Sequence, residues 1–218
     1  MNKKIVILIV ICIVVIAAGV GSYLIIKKSP STAESPQVLG QTPDQNNTTN
    51  NQGSQNSQPN VGQSQNKLVT DDFSIDLPDG WRKTAPVIGA TAMAINADET
   101  ISDPAVQKIN FKSYVAVSYD TLQGKTMSEY LQNIKSELQR LISNAVFTKE
   151  EDININDRPA HAMEAEMTQQ GVNFKVLMVV MGGEGEDVWV ISFNTTKNNW
   201  DGYKETFYNI AKSFSLKK

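Results

Sequence analysis

Cysteine is almost absent from this chain. One residue, Cys12, occurs among 218, and it lies in an apolar run near the N-terminus. Residues 67–218 hold none, so that part of the chain has no disulfide, no thiolate nucleophile and no thiolate metal ligand. Histidine is equally scarce, with His161 the only one. Nucleophilic triads need a histidine beside a Ser or Cys, and the sequence has no Gly-x-Ser-x-Gly elbow. Its Ser-x-x-Lys match, Ser64 to Lys67, falls in a polar tract. A phosphate-cradling Gly-x-x-x-x-Gly-Lys and a Cys/His zinc set are also missing. Basic excess is missing too. Four of the 20 basic and two of the 23 acidic residues precede Lys67, which leaves 16 basic against 21 acidic in the rest. An acidic segment without a basic stripe is a poor nucleic-acid binder.

Three unlike blocks follow one another. Residues 5–26 are uncharged and apolar on every face. As a helix they span about 33 Å, which matches a hydrocarbon core of about 30 Å. This predicts one membrane span, longer than the apolar core of a cleavable signal peptide. Ala17-Ala18-Gly19 keeps a cleavage reading open, with a mature N-terminus near Val20. Lys3 and Lys4 precede the run, and Lys27 and Lys28 follow it. The short N-terminal tail and the charge-poor tract downstream fit a single-pass signal anchor in the plasma membrane with residues 29–218 exported.

Residues 29–66 are mainly Ser, Thr, Asn, Gln, Pro and Gly. Such a tract cannot offset its ordering entropy by burial, so a disordered linker is expected. Its coil dimension is about 35 Å and its full extension about 130 Å. It reads as a spacer, or as a tether that carries a domain through a wall layer. Acceptor-type Asn-x-Thr triplets start at Asn46, Asn47 and Asn194. Chance matches are expected in Asn- and Thr-rich sequence.

Residues 67–218 are enough for one globular domain. Phe73, Ile75 and Leu77 alternate with polar residues ahead of Pro78-Asp79-Gly80, which predicts a strand, a turn and a new strand at Trp81. Ala90 to Ile95 and Phe111 to Tyr119 read as strands, with a loop over 98–110. Thr126 and Glu129 form a capping box, and the spacing of Tyr130, Leu131, Ile134, Leu138, Leu141 and Ile142 predicts a helix over 126–143. Asn156-Asp157 is a turn pair. Counting outward from a two-residue loop at Gln170-Gly171 pairs Met167 with Phe174, Glu166 with Lys175, Met163 with Met178 and His161 with Val180. His161, Met163, Met167, Phe174, Val176, Met178 and Val180 then share a face, and Glu164, Glu166, Lys175, Leu177 and Val179 take the other. Gly182 to Gly185 make the next turn. Val188 to Phe193 make a central strand, apolar on both faces. Trp200, Tyr203, Phe207, Ile210 and Phe214 predict a last amphipathic helix over 200–213.

Several of these features together resemble a known family. They are the run from Asp72 to Trp81, the capped helix, the turn Asn156-Asp-Arg-Pro-Ala160, the long hairpins and the closing Ala211-Lys-Ser-Phe-Ser-Leu216. Residues 68–216 are similar to the PsbP-like domains, a superfamily that includes DcrB-like lipoproteins and a Ran-binding nuclear import factor. The resemblance implies an α+β fold, an antiparallel sheet sandwiched by helices, and a non-enzymatic accessory or assembly role.

Few residues suggest chemistry. Glu184, Glu186 and Asp187 lie in a Gly-rich turn, and Glu150-Glu151-Asp152 precede a strand. Both clusters could offer oxygen ligands to a hard cation such as calcium, though neither has the spacing of a known calcium loop, and both read as solvated. Glu184, Glu186 and Asp187 are kept as weak metal candidates, with no cofactor implied. Glu164 and Glu166 are about 7 Å apart on one strand face, a spacing that would need a cleft to matter. His161 reads as a packed or edge side chain. Two functions stay open: an anchored module that docks a protein partner at the cell envelope, and an envelope hydrolase or metal-dependent enzyme without a recognisable motif. A surface spacer is a third, purely structural reading. Binding is expected in loops 98–110 or 182–187.

Overall fold

The structure, a computed structural model, describes residues 66–217. The expected span over 5–26 and the linker up to residue 65 lie outside the described residues. Ten strands and three helices follow in the order β1 (Lys67–Val69), β2 (Phe73–Asp76), β3 (Trp81–Thr84), β4 (Ala92–Asn96), α1 (Pro104–Lys108), β5 (Tyr114–Thr121), α2 (Met127–Leu141), β6 (Val146–Ile155), β7 (Arg158–Gln169), β8 (Val172–Gly182), β9 (Asp187–Thr196), α3 (Trp200–Lys212) and β10 (Ser215–Leu216). A 3-10 turn, Lys197–Asn199, leads into α3.

Seven strands form an antiparallel sheet in the order β3-β4-β5-β9-β8-β7-β6. β9 is central, as its two apolar faces predict. Two-residue turns with positive φ at both positions set the long hairpins: Asn156 and Asp157 (φ 47° and 64°) between β6 and β7, Gln170 and Gly171 (φ 50° and 78°) between β7 and β8. The β7–β8 register is the one the sequence implies, with Met163 opposite Met178 and Glu166 opposite Lys175.

The two faces of the sheet carry separate cores. Helix α2 covers one face, because Tyr130, Ile134 and Leu138 recur at helical spacing and are buried against Met163, Ala165, Met178 and Val190. Its capping box is made: Thr126 Oγ accepts from the Glu129 backbone, and Glu129 accepts from the Thr126 backbone at 2.8 Å. The other face is not covered by helix alone. Helix α3 shares it with a second sheet of three strands, β1-β2-β10, and Phe73, Ile75, Phe207 and Phe214 pack there with Leu177, Trp189 and Phe193.

The expected loop over 98–110 contains α1. Asp103 caps it by accepting from Ala105 N at 2.8 Å, and Pro104 occupies its first turn. One turn of helix is too short to carry an apolar period. β6 is also longer than its apolar content suggests. As the outermost strand it exposes Lys149, Glu150 and Asp152, which guard the edge against further pairing.

Candidate functional site

Four chain segments that are distant in sequence meet at one end of the large sheet. They are the β6–β7 turn at 156–157, the β8–β9 turn at 183–186, residues 70–72 ahead of β2, and the closing strand β10. The β8–β9 turn is tight. A Cβ added at Gly183 would stand 2.6 Å from Asp187 Cβ and 3.3 Å from Trp189 Nε1, so only glycine fits. Arg158, the first residue of β7, lies between two clefts and lines both. Its Nη1 donates to the carbonyl of Gly183 at 3.3 Å. Among the described residues, no carboxylate lies within ion-pair distance of its guanidinium.

The first cleft, about 570 Å³, opens beside the N-terminal turn of α2. Met127, Leu131, Ile153, Ala160 and Val180 give it apolar walls, and Asp152, His161 and Arg158 give it polar ones. His161 Nδ1 is 2.7 Å from Asp152 Oδ1, and Nε2 is 3.4 Å from Glu150 Oε2. Glu150 also receives Lys135 at 3.0 Å. Burial raises the Glu150 pKa, but hydrogen bonds from Lys135 and His161 outweigh it and leave the group below its ordinary value. The histidine, expected to be packed or at an edge, is therefore held by two carboxylates of the neighbouring strand.

The second cleft, about 620 Å³, lies on the α3 side. Asp71, Asp72, Glu184 and Asp187 border it, with Lys217 and Arg158, and Met181, Trp189 and Phe214 line its apolar part. Asp187 Oδ1 accepts from the Tyr119 hydroxyl at 2.7 Å, which is the first cause of a raised phenol pKa there, ahead of burial and the fields of Asp187, Asp120 and Asp72.

The acidic turn thus belongs to the site, but its three carboxylates face different partners. Glu186 accepts from Gly124 N at 3.0 Å, Asp187 takes Tyr119, and Glu184 is exposed. Among the described residues, no group of three or more His, Cys, Asp or Glu side chains could hold a metal ion. Glu150, Glu151 and Asp152 lie within β6 itself. Glu164 and Glu166 are on the α3 side of the sheet, joined through Lys175 at 3.2 and 3.5 Å. Lys204 also lies 3.6 Å from Glu164, and Lys197 lies 2.6 Å from Glu166. Segment 98–110 is at the opposite end of the sheet, where buried Glu99 accepts from Ser113 Oγ at 2.8 Å. Asn194 of the acceptor triplet is fully buried in β9.

Arg158 escaped sequence reasoning, although a signal was present. Counting outward from Asn156-Asp157 as a two-residue loop pairs Ile155 with Arg158 and Asp152 with His161, as observed.

No family model matches the sequence, and no curated protein matches it. Solved structures do match. Cyanobacterial PsbP from Synechocystis aligns at 15% identity and TM-score 0.51, covering 74% of this chain and 98% of that one. LpqN from Mycobacterium tuberculosis, described as involved in cell envelope biogenesis, aligns at 14% identity and TM-score 0.51, covering 72% and 88%. The Ran-binding protein Mog1p from Saccharomyces cerevisiae aligns at 12% identity and TM-score 0.46, covering 70% and 96%. The fold over residues 66–217 is PsbP-like.

Proposed function

We propose that this protein is a binding module, not an enzyme. It is anchored by residues 5–26, carried outside the cytoplasm on the linker over 29–66, and docks a protein partner at the cell envelope through the sheet end around Arg158. One observation carries the reading: two clefts of unlike chemistry, one mainly apolar and one acidic, flank a single guanidinium that, among the described residues, has a backbone carbonyl as its partner and no carboxylate. Adjacent apolar and charged recesses beside an arginine that has no carboxylate partner among the described residues suit a protein interface, in which Arg and aromatic anchors contribute most. The histidine is a poor candidate base, since carboxylates engage both its ring nitrogens. The description of LpqN as involved in cell envelope biogenesis is in keeping with an envelope role.

The test is in-cell crosslinking followed by recovery of the full chain, comparing wild type with Arg158→Ala, Lys83→Ala and Asp201→Asn, the last at an exposed position of α3. Lys83 is exposed on β3. Each variant is first shown to melt as wild type does. Arg158→Ala is expected to lose a discrete partner band that the other two variants keep. A band indifferent to Arg158 would overturn the site assignment.

A further inference from the structure

The carboxylates around the second cleft lack counter-charges. Among the described residues, none of Asp71, Asp72, Glu184 and Asp187 has a cation within 4.0 Å, although ion pairs are made elsewhere in the domain. The two cations that border the cleft are turned to backbone oxygens instead: Arg158 to Gly183 O, and Lys217 Nζ to Thr70 O. Below the carboxylates, Trp189 and Phe214 lie 5.9 Å apart between ring centroids. Tyr119, 46% exposed, stands edge-on to Trp189 at 5.3 Å. A recess with an unneutralised acidic border attracts a cation through its carboxylates, while Trp189 and Phe214, 5% and 1% exposed, keep the base of the cleft apolar.

We propose that the acidic cleft receives a lysine- or arginine-bearing loop of the partner protein. The cationic head meets Asp72, Glu184 and Asp187 at the rim of the cleft. This rests on the binding-module reading and adds the chemistry of the partner. Charge complementarity selects the occupant: an anionic partner would meet four carboxylates, and a purely apolar one would bury them unpaired at a cost. The volume of about 620 Å³ accepts several residues of a peptide. The Tyr119 phenol pKa is raised first by its hydrogen bond to Asp187 and then by burial, with smaller contributions from the fields of Asp187, Asp120 and Asp72.

The test uses the full chain in nanodiscs of zwitterionic lipid, so that the bilayer does not attract cations. The probes are a dye-labelled short peptide with two lysines and its twin with both lysines acetylated, read by fluorescence anisotropy. Three proteins are compared: wild type, Asp72→Asn/Glu184→Gln, and Asp201→Asn/Glu205→Gln. The last removes the same charge from exposed positions on α3. The lysine peptide should bind wild type saturably, at least tenfold more tightly than its acetylated twin. Asp72→Asn/Glu184→Gln should weaken it at least tenfold, and Asp201→Asn/Glu205→Gln less than twofold. Absence of binding, equal loss in both variants, or equal affinity for the acetylated twin overturns the proposal. Glu184→Gln alone should give a partial loss, since its side chain is exposed and its replacement leaves the fold intact. If Arg158→Ala still loses its partner band while the lysine peptide fails to bind, the module stands and the cationic chemistry falls.

Discussion

Replacing Lys175 by Met removes a cation that sits between two glutamates. Its Nζ is 3.2 Å from Glu164 Oε2, 3.5 Å from Glu166 Oε1, and 4.7 Å from the centre of the Trp200 ring. The side chains are 13% exposed for Lys175 and 3% for Glu164, so solvent screens this pair poorly. Removing one partner of a buried pair costs about 3–5 kcal/mol, chiefly because the other charge is stranded. Glu164 would keep Lys204 at 3.6 Å and the Tyr208 hydroxyl at 3.2 Å, which places Lys175→Met at the low end, about 3 kcal/mol. At about 2–4 °C per kcal/mol, Tm should fall by about 6–12 °C. Lys175→Met/Glu164→Gln leaves no stranded charge and should cost about 1 kcal/mol, giving a coupling above about 1.5 kcal/mol. Urea unfolding of the full chain in neutral detergent, followed by circular dichroism, measures both without added salt. A single variant within about 0.5 kcal/mol of wild type, or an additive cycle, would refute the argument. It would also reopen Glu164 and Glu166 as groups with some task other than holding β7, β8 and α3 together.

Leu138→Ala should cost about 2–5 kcal/mol in the same assay, since Leu138 is 0% exposed on the buried stripe of α2; a loss below about 0.5 kcal/mol would contradict that packing. Acid should destabilise the fold, because hydrogen bonds from Thr126, Lys149 and Lys197 hold Glu129, Glu151 and Glu166 below their ordinary value of 4.5. Their contribution is present above about pH 4.5 and lost as pH falls through the lower folded values, so Tm should drop there and Lys197→Met should soften the drop. Alkali acts from the other side: burial first, then nearby carboxylates, raise Tyr130, Tyr208 and Tyr203, the last to about 12. Native phenols keep protons that unfolded ones lose from about pH 10, so Tm should fall from there upward; a Tm unchanged between pH 9 and 12 would contradict this. Protease added to intact cells, or to spheroplasts where an outer membrane exists, should remove residues 67–218; protection until lysis would reverse the proposed orientation.

The parts of the fold that could be read from sequence are those governed by local rules. The Thr126–Glu129 box and the period of Tyr130, Ile134 and Leu138 fix α2 within one turn of chain. The Gln170-Gly171 loop fixes the β7–β8 register, because a one-residue slip would send Met163, Met167 and Phe174 to the wrong face. Two features were not legible for physical reasons. α1 is shorter than any period can reveal, and only Asp103-Pro104 announces it. The small sheet on the α3 face depends on Ser215 and Leu216 pairing with Ser74 and Phe73, across most of the domain. The site was half legible. Glu184 and Asp187 stood out as charged residues in a Gly-rich turn, but Asp72, Arg158, Trp189 and Phe214 join them only through long-range packing. The buried setting of Asn194 shows the converse, since its triplet looks like an acceptor only while its strand is ignored.

The central claim, binding through the Arg158 end of the sheet, is tested most directly by a site-specific photo-crosslinking map in cells. A benzophenone side chain is placed in turn at Asp71 and Asn154, exposed beside the second and first clefts, and at Lys83 and Asp201, exposed elsewhere. The account predicts the same discrete protein adduct from Asp71 and Asn154 and none from Lys83 or Asp201. Adducts from Lys83 or Asp201 alone, or no adduct from either cleft position, would contradict it.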